Sequence, residues 1–207
     1  MPELAELRCR NVTLARGRHI LFRDLSFEIA QGEALTVEGP NGAGKTSLLR
    51  LIAGFLSPLA GVVTIRTTAG HELADGDERG NLVGWLGHQD GLKPQFTPFE
   101  SLHFFARYQG THHDVEAALT MVGLGRVRDM PVSHLSAGQR RRLVLARLSL
   151  TERPLWLLDE PLSALDSQGR RLASELISAH CAKGGLAIAA THEPLGITCR
   201  RLMLGTV

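Results

Sequence analysis

The sequence predicts an α/β fold: a mostly parallel sheet covered by helices on both faces, with an antiparallel β subdomain and a helical subdomain. Three observations carry this expectation. The short apolar runs "GEALTVEGP", "LWLLDE" and "GLAIAATHE" read as strands buried on both sides. Stretches of helical spacing separate them, and parallel strands need such crossovers. Two early segments, "AELRCRNVTLA" and "ILFRDLSFEIA", alternate imperfectly between apolar and polar, as antiparallel strands with one wet face do.

Taken in order, those two antiparallel segments come first and "GEALTVEGP" runs straight into glycines. "GKTSLLRLIAGF" then spaces Leu48, Leu49, Ile52 and Phe55 helically and stops near Ser57-Pro58. "GVVTIRTT" reads as a strand, "HELADGDERGN" as a polar loop of turn residues, and "LVGWLGHQ" as another strand. From Pro98 to Leu150 the pattern is helical, in "FESLHFFARYQ", "DVEAALTMVGL" and the segment opening at "LSAGQRRRLVLARL". The strand "LWLLDE", the helix "SQGRRLASELISAHCAK", the strand "GLAIAATHE" and a closing "RRLMLGTV" complete the chain. One domain spanning 1–207 is expected, with the helical subdomain at about 92–150. There are no internal repeats and no linker long enough to divide it.

Bulk properties exclude several classes. With 23 Lys and Arg against 21 Asp and Glu, the net charge of +2 favours no nucleic-acid partner. Arg140-Arg141-Arg142 and Arg170-Arg171 read as solvated helix faces. Cys9, Cys181 and Cys199 are odd in number and scattered, which is the usage of reduced cytosolic thiols rather than a disulfide framework or a zinc site. The opening "MPELAELRCRN" lacks the apolar core of a signal peptide, and no apolar run has the length of a membrane span.

The strongest motif is "GPNGAGKT", Gly39 to Thr46, which matches G-x-x-x-x-G-K-[ST] between a predicted strand and a predicted helix. Glycines let backbone N–H groups close around phosphate oxygens, Lys45 reaches the β- and γ-phosphates, and Thr46 offers a hydroxyl to Mg²⁺. The nucleotide-binding candidates are therefore Gly39, Pro40, Asn41, Gly42, Ala43, Gly44, Lys45, Thr46 and Ser47. "LWLLDE" ends in Asp159 and Glu160 at the carboxyl edge of a buried strand, where open α/β sheets bind ligands. Asp159 is placed to hold Mg²⁺, and Glu160 to take a proton from the attacking water. Far downstream of the P-loop, "LSAGQ" places small residues and Ser136 at the start of a basic helix, a second anion site. One nucleotide already cradled by the P-loop does not need it, which points to another molecule's nucleotide.

In this order the motifs resemble those of the ATP-binding-cassette ATPases, over about Leu7 to Leu204. The resemblance implies a P-loop NTPase with a RecA-like core, ATP and Mg²⁺ as cofactors, and a head-to-tail dimer formed with ATP. In that dimer Ser136, Ala137, Gly138 and Gln139 would close over the partner copy's γ-phosphate. Gln89 in "HQDG" is similar to the glutamine that contacts Mg²⁺ and the lytic water. Asp166 in "SALD" lies at the position of the loop that crosses the dimer interface, and His192 in "ATHE" at that of the histidine contacting the γ-phosphate. The metal set implied is Thr46, Gln89 and Asp159; the catalytic set is Glu160, His192 and Gln89. The region "NVTLARGRHILF" departs from the family in lacking an aromatic from Asn11 to Ile20. Arg16 or Arg18 stacks on the base instead, or the loop is simply solvated; both readings stay open.

The strings "VEGPNGAGKTSLLRLIAGF", "LGHQDGLKP", "SLHFFARYQG" and "DEPLSALDSQG" are similar to one branch, the ATP-binding subunits of bacterial cytochrome c maturation systems, the haem exporters. That likeness implies a motor subunit on the cytoplasmic face of the inner membrane, docked to integral membrane subunits. A soluble cassette ATPase acting on a protein or nucleic acid, or a transporter subunit for another substrate, is the alternative. His103, His112 and His113 read as exposed helix-end residues, so haem is not expected to bind this subunit. Leu92, Phe96 and Phe99 either enter the core or form a docking groove for a membrane subunit.

Overall fold

The computed structural model describes residues 3–108 and 114–205; His112 and His113 lie outside them. The strands are β1 (Leu4–Arg16), β2 (His19–Ala30), β3 (Ala34–Glu38), β4 (Ala60–Thr67), β5 (Glu72–Leu73), β6 (Val83–Leu86), β7 (Leu155–Asp159), β8 (Leu186–Ala190) and β9 (Arg200–Met203). The helices are α1 (Lys45–Ile52), α2 (Gly76–Gly80), α3 (Pro98–Tyr108), α4 (Val115–Met121), α5 (Ala137–Ser149) and α6 (Ser167–Ala182). Two compact units emerge. The first takes in residues 3–85, 153–161 and 177–205, and the second Leu86–Glu152 and Leu162–Leu176. The second unit thus includes Gln89 and Asp166 besides the stretch 92–150.

Two sheets are present among the described residues. In the antiparallel one, ordered β2-β1-β4-β5, β1 turns Leu4, Leu7, Val12 and Leu14 inward. Its alternation slips where the register shifts between Cys9 and Val12. Asn11 adopts φ 48° there, and its amide donates to Ser26 Oγ at 2.9 Å, which closes the bulge. The other sheet is ordered β6-β7-β8-β3-β9, with β3, β7, β8 and β9 running parallel. Every residue of β7 and β8 is buried, which explains their unbroken apolar character. The second unit has its own core, in which Leu102, Leu119, Leu143 and Leu135 meet from α3, α4, α5 and the turn before α5.

Two expectations are corrected. The polar stretch 71–81 is not a plain loop: it holds β5 and α2. Asp75 caps α2 by accepting from the amides of Asp77 and Glu78 at 2.8 and 3.3 Å, a local bond that composition alone conceals. The arginine run of α5 is not a solvated face either. Arg141 is 2% exposed and donates to Gly87 O at 2.9 Å, and Arg142 grips both oxygens of Asp166 at 2.8 and 2.9 Å. Arg141 shares a helical stripe with Val144, Leu145 and Leu148, so helix phase drives it inward despite its charge.

The end of α6 is fastened by aromatic stacking. The His180 ring lies 4.0 Å from that of Trp156 on β7, nearly parallel at 7°, and its Nε2 is 3.2 Å from Leu186 O. Burial pushes this imidazole from 6.5 down to about 4. The unfolded chain therefore binds the proton first as pH falls. Stability should be complete above pH 6.5, fall below it, and level off below about pH 4, with a total loss of at most about 3 kcal/mol. Urea-unfolding midpoints at pH 7 and pH 4.5 should differ less in His180→Phe, which keeps a stacking ring without a titrating one. An equal difference in both proteins would mean other groups set the acid sensitivity.

Candidate functional site

Parallel pairing brings three strand ends into line. Val37 of β3 is opposite Ala190 of β8, which is opposite Asp159 of β7. The chain leaves these strands at Gly39, Thr191 and Glu160, so one rim of the first unit collects the P-loop, the acidic pair and His192. This is the carboxyl edge at which such sheets hold ligands.

The P-loop folds around backbone rather than side chains. Gly39 has φ 150°, and a Cβ there would stand 2.5 Å from Leu204 O, so only glycine permits the close approach of β9's exit. Gly44 is the N-cap of α1 at φ 96° and offers no side-chain cap. The first amides of α1 are left for an outside acceptor, the arrangement that suits a phosphate.

Lys45 is 9% exposed. Its Nζ donates to Gly39 O at 2.7 Å and to Pro40 O at 3.2 Å, and sits 3.0 Å from His192 Nε2. These acceptors are uncharged, and a buried ammonium among neutral groups is a site for an anion. His192 Nε2 is also 3.1 Å from Asn41 Oδ1 and 3.6 Å from Glu160 Oε1. Without its proton Nε2 accepts from Lys45; with it, Nε2 donates to Asn41. The nitrogen is a two-way contact among P-loop, lysine and acid.

Thr46 Oγ1 is 3.0 Å from each oxygen of Asp159, which is 4% exposed. A hydroxyl and a carboxylate are hard oxygen donors that fit Mg²⁺. Among the described residues no group of three His, Cys, Asp or Glu could hold a metal. Glu160 follows with φ 48°, a left-handed conformation for a side-chain-bearing residue, held by its amide bond to Ala190 O at 2.8 Å. Such local strain gathers at functional sites.

The rest of the expected set belongs to the second unit. Gln89 is exposed in the bend after β6. The next residue, Asp90, lies 3.6 Å from Arg141 and 3.8 Å from Arg140, which ties the Gln89 loop to α5. Arg147 adds to this tie: its guanidinium lies 4.7 Å over the Phe105 ring, and burial holds its pKa below the usual arginine range against the pull of Asp90. Ser136 does cap α5, in a reciprocal box. Its Oγ accepts from Gln139 N at 3.2 Å, and Gln139 Oε1 accepts from Ser136 N at 2.8 Å. The amides of Ala137 and Gly138 follow on the first turn. Asp166 caps the start of α6 through Gly169 N at 2.7 Å, and that bond, with Arg142, lowers its carboxyl pKa.

Sequence reasoning missed Asp90 and Arg141 as the fasteners of the Gln89 loop. The available signal was Arg141's place on the apolar stripe of its helix.

This strand-edge site defines a P-loop nucleotide-binding protein, and the wider comparison agrees. The chain belongs to the ABC transporter family, which matches residues 22–163, and as a member it is an ATP-binding ATPase subunit. It is 48% identical over 201 residues to the cytochrome c biogenesis ATP-binding export protein CcmA of Rhodopseudomonas palustris (strain BisB5), covering 95% of this chain and 96% of that one. The protein of the same name from Bradyrhizobium diazoefficiens is 46% identical over 206 residues, covering 98% and 99%. A solved structure described as the ATP-binding subunit of an ABC transporter superposes with a TM-score of 0.76 at 25% identity, over 90% of this chain and 79% of that one.

A Cβ on Gly138 would stand 2.9 Å from Ala164 O, and Ala164 itself has φ 62°. Gly138→Val should therefore push the 163–166 loop away from α5. The expected readout is faster amide exchange at residues 163–169 with the first unit's amides unaffected. Unchanged exchange there would show that the loop is not seated on Gly138.

Proposed function

We propose that this chain is the Mg²⁺-dependent ATP-hydrolysing motor of an export complex serving cytochrome c maturation, with haem as the exported group. The observation that carries the chemistry is the convergence of Lys45, Thr46 with Asp159, Glu160 and His192 on one strand edge. The export role rests on the likeness to the cytochrome c biogenesis export proteins.

In this reading the amides of Gly39–Ser47 and the Lys45 ammonium bind the β- and γ-phosphates. Thr46 and Asp159 would hold Mg²⁺, with Gln89 as a further expected ligand, and the ion would supply charge neutralisation for the phosphates. Glu160 takes the proton of the attacking water, and His192, already shared between Lys45 and Glu160, contacts the γ-phosphate. Ser136, Ala137, Gly138 and Gln139 serve the nucleotide of a second copy in a two-fold dimer, and Asp166 lies at that interface. Among the described residues no helix is long and apolar enough to cross a membrane; the likeness to the ATP-binding export proteins is what supports a peripheral subunit docked to integral membrane partners on the cytoplasmic face. For docking, Leu92 and Phe99 are half-buried against the second unit's core, whereas Phe104 and Tyr108 are exposed and stack at 6.4 Å. Phe96 joins them edge-on, 6.5 Å from Phe104. The exposed aromatic row, more than Leu92 and Phe99, is the docking candidate. His103 is exposed, as expected, but lies in the middle of α3 rather than at a helix end, and stacks on Phe99 at 5.7 Å.

Glu160→Gln should retain ATP binding and lose about 10²–10⁴-fold in turnover, measured as phosphate release. Hydrolysis at the wild-type rate would remove Glu160 from the role. Glu160→Gln should also elute as a dimer only with ATP and Mg²⁺. Mixing Ser136→Arg with Lys45→Ala chains should raise activity above either alone, because one composite site regains two intact halves. No rise, with mixed dimers shown to form, overturns the shared site.

A further inference from the structure

The catalytic rim depends on where α1 stands, and α1 is poorly equipped to hold itself. It has eight residues, about 12 Å of helix, too short to persist alone in water. Its N-cap is a glycine without a side chain, so its first turn is tied only through Lys45 to the P-loop carbonyls and through Thr46 to Asp159. The other end is fastened by a residue with no place in the nucleotide motifs.

Arg79, from α2, is 5% exposed. Its Nε donates to Ile52 O at 3.2 Å and one terminal nitrogen to Leu51 O at 3.3 Å; these are the last two residues of α1. The other terminal nitrogen donates to Val63 O of β4 at 3.0 Å and to Ala74 O. One planar cation thus spans the carboxyl end of α1, the antiparallel sheet and the start of α2. The chain leaving α1 is pinned beside it: a Cβ on Gly54 would stand 2.2 Å from Gly76 O. A cation among the last carbonyls of a helix also complements the negative end of its dipole.

We propose that Arg79 is a positioning residue of the phosphate site, clamping the far end of α1 so that Lys45 and Thr46 hold their places at the near end. The proposal rests on the reading of Gly39–Thr46 as the ATP site, and the experiment keeps the two apart.

Arg79→Met and Arg79→Lys would be compared with the wild type, with Lys45→Ala, and with Ile177→Ala, a fully buried change on α6 that destabilises the same unit without touching α1's end. The readouts are amide exchange in the nucleotide-free proteins and the Kd for ATP, both taken well below each protein's Tm. Arg79→Met should speed exchange across residues 48–54 and raise the Kd about tenfold, with Arg79→Lys between it and wild type because an ammonium reaches fewer carbonyls. Ile177→Ala should lower Tm and leave the Kd unchanged. Wild-type Kd in a folded Arg79→Met overturns the proposal, as does an equal loss of affinity in Ile177→Ala. If Arg79→Met does not fold, Arg79→Lys decides alone: a raised Kd for ATP with loosened 48–54 amides supports the clamp, and wild-type values for both overturn it. Should Lys45→Ala bind ATP as tightly as wild type, the reading of the P-loop itself fails.

Discussion

A carboxylate buried at the end of a core strand must be given donors, and Asp159 receives one from Thr46, 113 positions away in the chain. That hydroxyl, shared between both carboxylate oxygens, joins β7 to the first turn of α1, and the rest of the rim is arranged around the joint. With α1 so held, Lys45 falls under the P-loop carbonyls and within reach of His192. With β7 so held, Glu160 turns into its left-handed conformation against the carbonyl that ends β8. Breaking the joint would leave a desolvated carboxylate with one donor fewer, a cost of the order of 1–3 kcal/mol before any chemistry is considered.

The same logic separates the helical unit into function and support. Ser136 and Gln139 satisfy each other across the first turn of α5; of the small residues between them, Ala137 is exposed and Gly138 lies close against Ala164 O. Behind that turn, arginines do the fastening. Arg142 takes Asp166, Arg141 and Arg140 take Asp90, and Arg147 lies over Phe105. Guanidinium groups suit such work, because their planar donors reach carboxylates, carbonyls and ring faces together. The loops carrying Gln89 and Asp166 are therefore both tied to one helix, so a movement of α5 would be felt at each.

How much of this could be read from residues alone varies with the range of the interaction. The P-loop, the acidic pair after "LWLLD" and the capped helix at "LSAGQ" were legible, because each is a local pattern of residue types on a predictable element. The buried strands were legible from their unbroken apolar runs, and the antiparallel pair from its imperfect alternation, whose imperfection is the bulge at Asn11. The stretch 71–81 was misread because Asp75, Asp77, Glu78 and Arg79 look like a solvated turn until two amides and four carbonyls are placed around them.

By itself, then, the sequence determined the order of strands and helices outside 71–81, the glycine-rich turn before α1 and the acidic pair that ends β7, since these follow from propensity, period and spacing within a few turns of chain. Tertiary structure alone decided which arginines are buried, which carbonyls Arg79 reaches, and that His180 is held neutral against Trp156. Those outcomes depend on backbone carbonyls and ring faces. Every residue has a carbonyl, so residue identity does not tell a charged side chain which one it will meet.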